Sequence, residues 1–272
     1  SGEPTTNPAL PRWIKLARSH GVPTISVMTN GRALSYERYA KGLVAAGLNR
    51  VYISIHGHEM RLHEGLTRTP GSFAQTVAGL EMVASLKRYG VVLHTSTVVT
   101  KRNLPHLAEI YRFLRARGVD QVVFNVMQAN GRADTYFEQI FPTYTAIADT
   151  FRAFLRDVGE AQPMAFLVDI PLCTTEGIPD FNRGYVERHM HYDLEEAAVL
   201  EGFDASAHAE TGKGKGLVML TREDLDMATR SKRAECSACR YDSACEGVWR
   251  NYTKRYGWDE MQPLNAPDAI AS

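Results

Sequence analysis

The chain has 272 residues, with 31 Lys and Arg against 31 Asp and Glu, so its formal net charge at pH 7 is zero. A hydrophobic fraction of 44% and a charged fraction of 23% are those of a globular protein, either one large α/β domain or one domain with a small appendage. The charge balance argues against nucleic-acid and anionic-membrane partners. No apolar run of about 18 residues offers a membrane span, no signal-peptide pattern opens the sequence, and a cytoplasmic location is expected.

The opening stretch SGEPTTNPALPRWIKLARSHG runs almost directly into a helix. Asn7 is placed to cap it and Pro8 suits its first turn. Leu10, Trp13, Ile14 and Ala17 fall on one face, and Gly21 ends the helix. A short apolar strand is predicted over 22–28, followed by a helix from Ser35 with Tyr36, Tyr39, Ala40, Leu43 and Val44 inward and Gly47 at its end. The unit then repeats. A strand over 51–55 precedes GSFAQTVAGLEMVASLKRYG, a helix with Ser72 and Gln75 as a capping box and Gly90 as its stop. A strand over 91–98 precedes a helix capped by Asn103 and closed by Gly118. A strand over 121–127 precedes a helix over 143–158, and MAFLVDIPLC follows. Strands apolar along their whole length, alternating with amphipathic helices, predict a parallel β/α architecture: a barrel or a doubly wound sheet.

In such folds the chemistry sits where strands end and helices begin. The residues there are GEPT before the first helix, MTNG at 28–31, SIHGH at 54–58, TSTVVTKRN at 95–103 and NVMQANGRA at 125–133. All offer polar side chains and exposed backbone to a polar cofactor, although each one alone reads first as a turn residue or helix cap.

The cysteines carry a sharper signal. Cys236, Cys239 and Cys245 form C-x2-C-x5-C, and Cys173 stands far upstream in VDIPLC, at the end of the last predicted strand. In a cytoplasmic chain, clustered thiols are metal ligands more often than disulfides. C-x2-C sets two thiols on one tight turn, so both reach one centre. Cys245 adds a third, and Cys173 is the only thiol left for a fourth. Four thiolates suit [4Fe-4S], [2Fe-2S] or Zn.

Order and wording together resemble a radical S-adenosylmethionine (SAM) enzyme, of the branch that carries a SPASM or twitch extension after its barrel. SGEP at 1–4 is similar to that family's GGEP motif. TNG at 29–31 and ISIHG at 53–57 are similar to the ends of its third and fourth strands. HEGLTRTPGSFAQTVAGL at 63–80 and VVTKRN at 98–103 resemble the stretches between strand four and the helix after strand five. The likeness returns in VDIPLC and in CSACRYDSACEGVWRNYTKRYGWDE. It implies a partial (β/α)6 barrel over 1–170 that lacks its first strands, and a Cys-rich extension over 171–272 with an insertion at about 176–215.

The resemblance also implies chemistry: reductive cleavage of SAM to a 5′-deoxyadenosyl radical, and hydrogen abstraction from a substrate. That substrate is a peptide or protein side chain or, alternatively, a small molecule of a pathway such as cofactor biosynthesis. The resemblance places Gly2, Glu3 and Pro4 beside the methionine ammonium of SAM and Ser54 near its ribose or carboxylate. It brings Asn30, Thr97 and Asn103 within reach of the same cofactor. The residues themselves leave Ser54 open as a hydroxyl bonded to backbone, and Asn103 as a plain cap before Pro105. An auxiliary [4Fe-4S] cluster is implied on Cys173, Cys236, Cys239 and Cys245. Trp249 stands where a SPASM domain has its next cysteine, so the extension reads as twitch-like with one cluster, and a Zn(Cys)4 knot is the rival.

The family's C-x3-C-x2-C loop is not in the sequence. The catalytic [4Fe-4S] cluster is expected on an N-terminal segment upstream, and residues 1–272 alone are expected not to cleave SAM. A homologue that has lost its catalytic cluster, a non-enzymatic Fe–S or Zn scaffold, is the alternative. An electron donor such as a flavodoxin or ferredoxin is the implied partner. HGH at 56–58 and HMH at 189–191 read as solvent-facing or substrate-pocket histidines, and Tyr252, Tyr256 and Trp258 as packing for the extension.

Overall fold

A computed structural model describes residues 2–128, 131–159, 165–178, 198–201, 217–220 and 229–264. The chain divides into two compact units, Ser1–Asp169 and Ile170–Ser272.

The first unit is a parallel sheet with helices. Strands β1 (Ser26–Thr29), β2 (Arg50–Ser54), β3 (Val92–Val99), β4 (Gln121–Val126) and β5 (Ala165–Val168) lie side by side in chain order, each pair parallel. The predicted strands are therefore neighbours in the predicted order, and MAFLVD supplies a fifth. Among the described residues the sheet is open, with β1 and β5 at its edges. β1 starts later than the apolar run suggests because Asn49 holds the stretch before it: its Oδ1 accepts the Ile25 N–H at 2.8 Å and its Nδ2 donates to Pro23 O at 2.7 Å.

The helices are α1 (Leu10–Ser19), α2 (Glu37–Ala46), α3 (Met60–Thr67), α4 (Ser72–Ser85), α5 (Leu107–Arg115), the single turns α6 (Arg132–Thr135) and α7 (Phe137–Ile140), and α8 (Tyr144–Val158). Alternation along the strands separates two faces. In β1, Val27 and Thr29 are buried while Ser26 and Met28 are exposed. The register carries the buried row on through Val51 and Ile53 to Leu93 and Thr95. Glycines bring the helix layer onto this face: a Cβ on Gly79 of α4 would lie 2.0 Å from Gly31 O, and one on Gly31 would lie 2.9 Å from Ile53 Cγ2. Ile110 and Leu114 of α5 and Ile147, Phe151 and Phe154 of α8 are fully or almost fully buried. Phe124 of β4 meets the Phe151 and Phe154 rings edge-on, with centroids 6.1 and 5.5 Å apart. Each such side chain contributes about 1.5–3 kcal/mol by leaving water. The opposite row carries Met28, Tyr52 and Ser54, then His94 and Ser96.

Several local expectations are corrected. In α1 only the narrow stripe of Leu10 and Ile14 is buried, and Trp13 is 54% exposed. In α2 the stripe is Ala40, Leu43 and Ala46, while Tyr36, which precedes the helix, is 64% exposed. The capping box on α4 does not form. Gly71 precedes the helix with φ +77°, Ser72 Oγ pairs with Thr67 Oγ1 at 2.9 Å, and Gln75 Oε1 accepts from Arg32 Nε at 2.7 Å. Thr143 does cap α8, its Oγ1 accepting the Ala146 N–H.

The second unit is built from small pieces. β6 (Ala198–Glu201) pairs antiparallel with β7 (Leu217–Leu220), and β8 (Arg230–Ser231) with β9 (Val248–Trp249). A 3₁₀ turn, Ala234–Ala238, carries the C-x2-C pair, and α9 (Arg250–Tyr256) follows β9. Its buried apolar residues include Ile170, Ile178, Val248, Trp249, Tyr252 and Met261. Tyr252 is fully buried, bonds the Glu260 carboxylate and meets Tyr256 edge-on at 5.0 Å. The insertion expected at about 176–215 lies largely outside the described residues, and HMH at 189–191 wholly outside them. Among the described residues no helix is long and apolar enough to cross a membrane.

Candidate functional site

The first candidate centre is the C-terminal end of the parallel sheet. Glu3 anchors it. Glu3 Oε1 accepts from Thr5 N at 3.0 Å, Thr5 Oγ1 at 2.6 Å and Thr29 Oγ1 at 2.6 Å, and Oε2 accepts from Asn30 N at 2.8 Å. The GEP loop is thereby tied to the last residue of β1 and to the one after it. Burial alone would raise the Glu3 carboxyl; the hydrogen bonds from Asn30, Thr29 and Thr5 together outweigh it and hold the group below its usual range. Glu3 is therefore ionised, and Oε2, with one partner, keeps acceptor capacity for a cation. Asn30 Oδ1 accepts the Arg32 N–H at 2.9 Å, and its carbonyl accepts from Thr76 Oγ1 at 2.9 Å. Gly2 is exposed, and Pro4 opens the 3₁₀ turn Pro4–Thr6.

Ser54, the last residue of β2, is half-buried, and its hydroxyl has no hydrogen-bond partner among the described residues. The alternative of a hydroxyl bonded to backbone is thus not what the structure contains. Thr97 behaves differently: it is fully buried and its hydroxyl donates to Ile55 O at 2.6 Å. Asn103 is also buried, and all its bonding capacity is taken. Its Nδ2 donates to His56 O at 3.0 Å and Val98 O at 2.9 Å, while Oδ1 accepts from Thr100 N at 2.7 Å and Thr100 Oγ1 at 3.1 Å. Asn103 is not a cap: α5 begins only at Leu107, after a 3₁₀ turn, and the side chain reaches back across the ends of β2 and β3. Thr97 and Asn103 thus hold the strand ends in place.

His56 of the HGH stretch is not solvent-facing but belongs to this lock. Where β2 turns away, the ring takes over its place in the ladder, and the Val98 N–H donates to His56 Nδ1 at 3.3 Å. The ring stacks on His63 with centroids 5.7 Å apart, and the His56 N–H donates to His63 Nδ1 at 3.2 Å. Burial first, and the neighbouring His63 second, push the His56 pKa down to about 3, so the ring is neutral at pH 7.

The second candidate centre lies wholly within the second unit. Cys173, Cys236, Cys239 and Cys245 all line one cavity, together with Lys232, Asp242 and Gly247. Cys239 N donates to Cys236 O at 2.9 Å, closing the C-x2-C turn, and Cys245 N donates to Tyr241 O at 2.8 Å. All four thiols are free and half-buried. Burial first, then the proximity of Cys245, Cys239 and Cys236, push the Cys173 thiol up to about 12. Three further thiols facing Cys173 across one cavity suit positive charge placed between them. Among the described residues, no three His, Cys, Asp or Glu are gathered as a site for a single ion.

Residues 1–114 match the radical SAM superfamily. An AdoMet-dependent heme synthase of Methanosarcina barkeri is 29% identical over 133 residues, which is 49% of this chain and 37% of that protein. A probable GTP 3′,8-cyclase of Metallosphaera sedula is 32% identical over 122 residues, 44% of this chain and 37% of that protein. The chain thus spans little more than a third of the curated relatives it matches. Among solved structures, native anSMEcpe with bound AdoMet and Cp18Cys peptide superposes with a TM-score of 0.54 at 16% identity, over 97% of this chain and 78% of that one, a likeness of fold. Residues 1–114, which hold the GEP loop clamped to β1 and the polar ends of β2 and β3, are thus the part of the chain that matches the radical SAM superfamily.

Proposed function

We propose that the chain belongs to a radical SAM enzyme, with the end of the parallel sheet as its SAM site and the four-thiol cavity as an auxiliary iron–sulfur site. The observation that carries the reading is the Glu3 clamp, in a domain of this superfamily: an ionised carboxylate fixed at the mouth of the sheet, with one lone pair in reserve for an ammonium. The Gly2–Pro4 backbone and Glu3 Oε2 would meet the methionine ammonium of SAM. Ser54 and Asn30 would meet its ribose or carboxylate, while Thr97, His56 and Asn103 keep the strand ends from moving. When bound beside a reducing [4Fe-4S] cluster, SAM supplies the 5′-deoxyadenosyl radical that takes a hydrogen atom from the substrate. Residues 1–272 contain no C-x3-C-x2-C, so the thiols for that cluster are to come from outside them. The four cysteines present suit the auxiliary centre. They line one cavity, and four thiolates suit an iron–sulfur cluster, with a Zn(Cys)4 knot as the rival.

The substrate is read as a peptide or protein side chain, as first expected. A small molecule is the second reading, favoured by relatives named for heme and for GTP. Anaerobic reconstitution with iron, sulfide, SAM and dithionite tests both. Formation of 5′-deoxyadenosine only when the C-x3-C-x2-C segment is present supports the reading, and its formation by residues 1–272 alone refutes it. Hydrogen transfer into 5′-deoxyadenosine from a deuterated peptide, or from a deuterated small molecule, decides the substrate class.

A further inference from the structure

Gly247 stands in the thiol cavity at a place only glycine fits. Its φ is +89°, and a Cβ there would lie 2.8 Å from Ser231 O. Ser231 is fixed by the pairing of β8 with β9, so that carbonyl has little room to give. This conformation aims the Gly247 N–H at Cys245 Sγ, with N···S 3.4 Å. The cation that lines the cavity, Lys232, is already engaged with Asp242 Oδ1 at 2.9 Å.

We propose that Gly247 is a tuning residue for the centre held by the four thiols, its N–H bracing the Cys245 thiolate and favouring the reduced state. The proposal rests on the reading of these thiols as cluster ligands. When such a cluster takes one electron, from dithionite or from a one-electron protein donor, no bond breaks and no proton is required. Part of the added negative charge falls on the cysteine sulfurs. An N–H aimed at a sulfur is worth more to the more negative state, so it raises the potential.

Gly247→Ala forces a methyl against Ser231 O and turns the N–H away from the sulfur. Gly257→Ala is the control: φ is +72° there, and nothing lies within 4 Å of the added Cβ, so it carries the same backbone strain without touching the cavity. The wild-type chain and both variants are reconstituted with iron and sulfide, assayed for both, and titrated for their midpoint potential. Gly247→Ala is expected to lower the reduced-to-oxidised ratio at a fixed potential about tenfold, a negative shift of about 59 mV for one electron. Gly257→Ala is expected to leave it in place. Should Gly247→Ala fail to load, wild-type protein labelled with 15N-glycine decides: pulsed EPR of the dithionite-reduced cluster shows a 15N coupling if the bond exists. A potential unmoved by Gly247→Ala, or a loaded wild-type cluster without that coupling, overturns the proposal and leaves the cluster reading standing. A wild-type chain that takes up no iron and sulfide overturns both.

Discussion

At the end of the parallel sheet the protein answers most of its own polar groups, whereas in the cysteine cavity it does not. Glu3 has four hydrogen bonds, Asn103 has four and Thr97 has one, all to the chain itself. The four thiols share a cavity in which burial and the other three oppose the ionisation of Cys173. The two regions also differ in what supports them. The sheet end rests on five paired strands and a helix layer, the cavity on two-residue strands and one short helix. The first is therefore a preformed frame. On the proposed reading the second would be completed by what it binds, and binding and folding would be one free energy there.

Removing a thiol is the strongest test of this contrast. Cys239→Ala is expected to abolish stoichiometric iron and sulfide uptake and to collapse amide protection over 229–264, while protection over β3 and β4 persists. Hydrogen exchange followed by mass spectrometry reads both regions at once. Absorbance near 400 nm disappears with the ligand if the centre is a cluster, and was never present if it is zinc. Equal loss of protection in both units would end the contrast.

Next in size is Asn103→Ala. It leaves His56 O, Val98 O and the Thr100 N–H short of a partner in a buried place, where each unsatisfied group costs about 1–3 kcal/mol. A loss of about 2–4 kcal/mol is expected in urea denaturation of the first unit. Asn103→Asp keeps the acceptor for Thr100 but loses both donors, so it is expected to fall between. A change below about 1 kcal/mol for Asn103→Ala would mean the strand ends are held by something else.

How far these differences were legible depends on how local their causes are. The strands could be read because Val51–Tyr52–Ile53 and Val122–Val123–Phe124 are apolar on both faces, a pattern that needs no partner to interpret. The helix stop at Gly47 was legible for the same reason, whereas α4 already ends at Ser85 and Gly90 follows a separate 3₁₀ turn, Lys87–Tyr89. Asn103 was misread because an Asn before Leu-Pro carries the same sequence signal whether its side chain caps forward or bonds backward. Only the pairing of β2 with β3 sets two carbonyls within its reach. Ser72 and Gln75 failed as a capping box because their partners, Thr67 and Arg32, come from other segments. Trp13 was placed inward by periodicity, which marks a face but not its width. The cysteine spacing announced a centre, while the fit of Gly247 against Ser231 depended on a β-pairing that no spacing encodes.

A smaller effect should follow pH through His56. Its ring is neutral in the folded state, with a pKa near 3 against the usual 6.5. The unfolded chain therefore binds the proton first as pH falls. Stability from this ring is complete above pH 6.5 and drains away between pH 6.5 and 3. His56 is not fully buried, which tempers the size of the loss. His56→Asn, which keeps an acceptor for the Val98 N–H, is expected to flatten the first unit's stability between pH 6.5 and 5. An unchanged slope would assign the titration to another histidine.

The smallest expected effect, at Glu3, bears most directly on ligand binding. Glu3→Gln keeps the shape but turns one acceptor into a donor. If that nitrogen takes the place of Oε2 it faces the Asn30 N–H, and if it takes the place of Oε1 it faces the hydroxyls of Thr5 and Thr29. Because Glu3 is partly exposed, the loss of stability is expected to stay below about 1 kcal/mol. Amide exchange at Thr5 and Asn30 should quicken without change elsewhere in the sheet. The pH dependence has a fixed sign: the folded carboxyl lies below its usual 4.5, so its contribution is present above pH 4.5 and is lost as pH falls through the folded value. Protection of the Asn30 N–H should therefore fall in acid in the wild type and be flat in Glu3→Gln. If the ionised Oε2 also faces the ammonium of SAM, Glu3→Gln weakens SAM binding by far more than it weakens the fold. Calorimetric titration with SAM, on the enzyme carrying its catalytic cluster, separates the two roles. A dissociation constant that rises no more than the loss of stability accounts for would make Glu3 a clamp for the loop and nothing more.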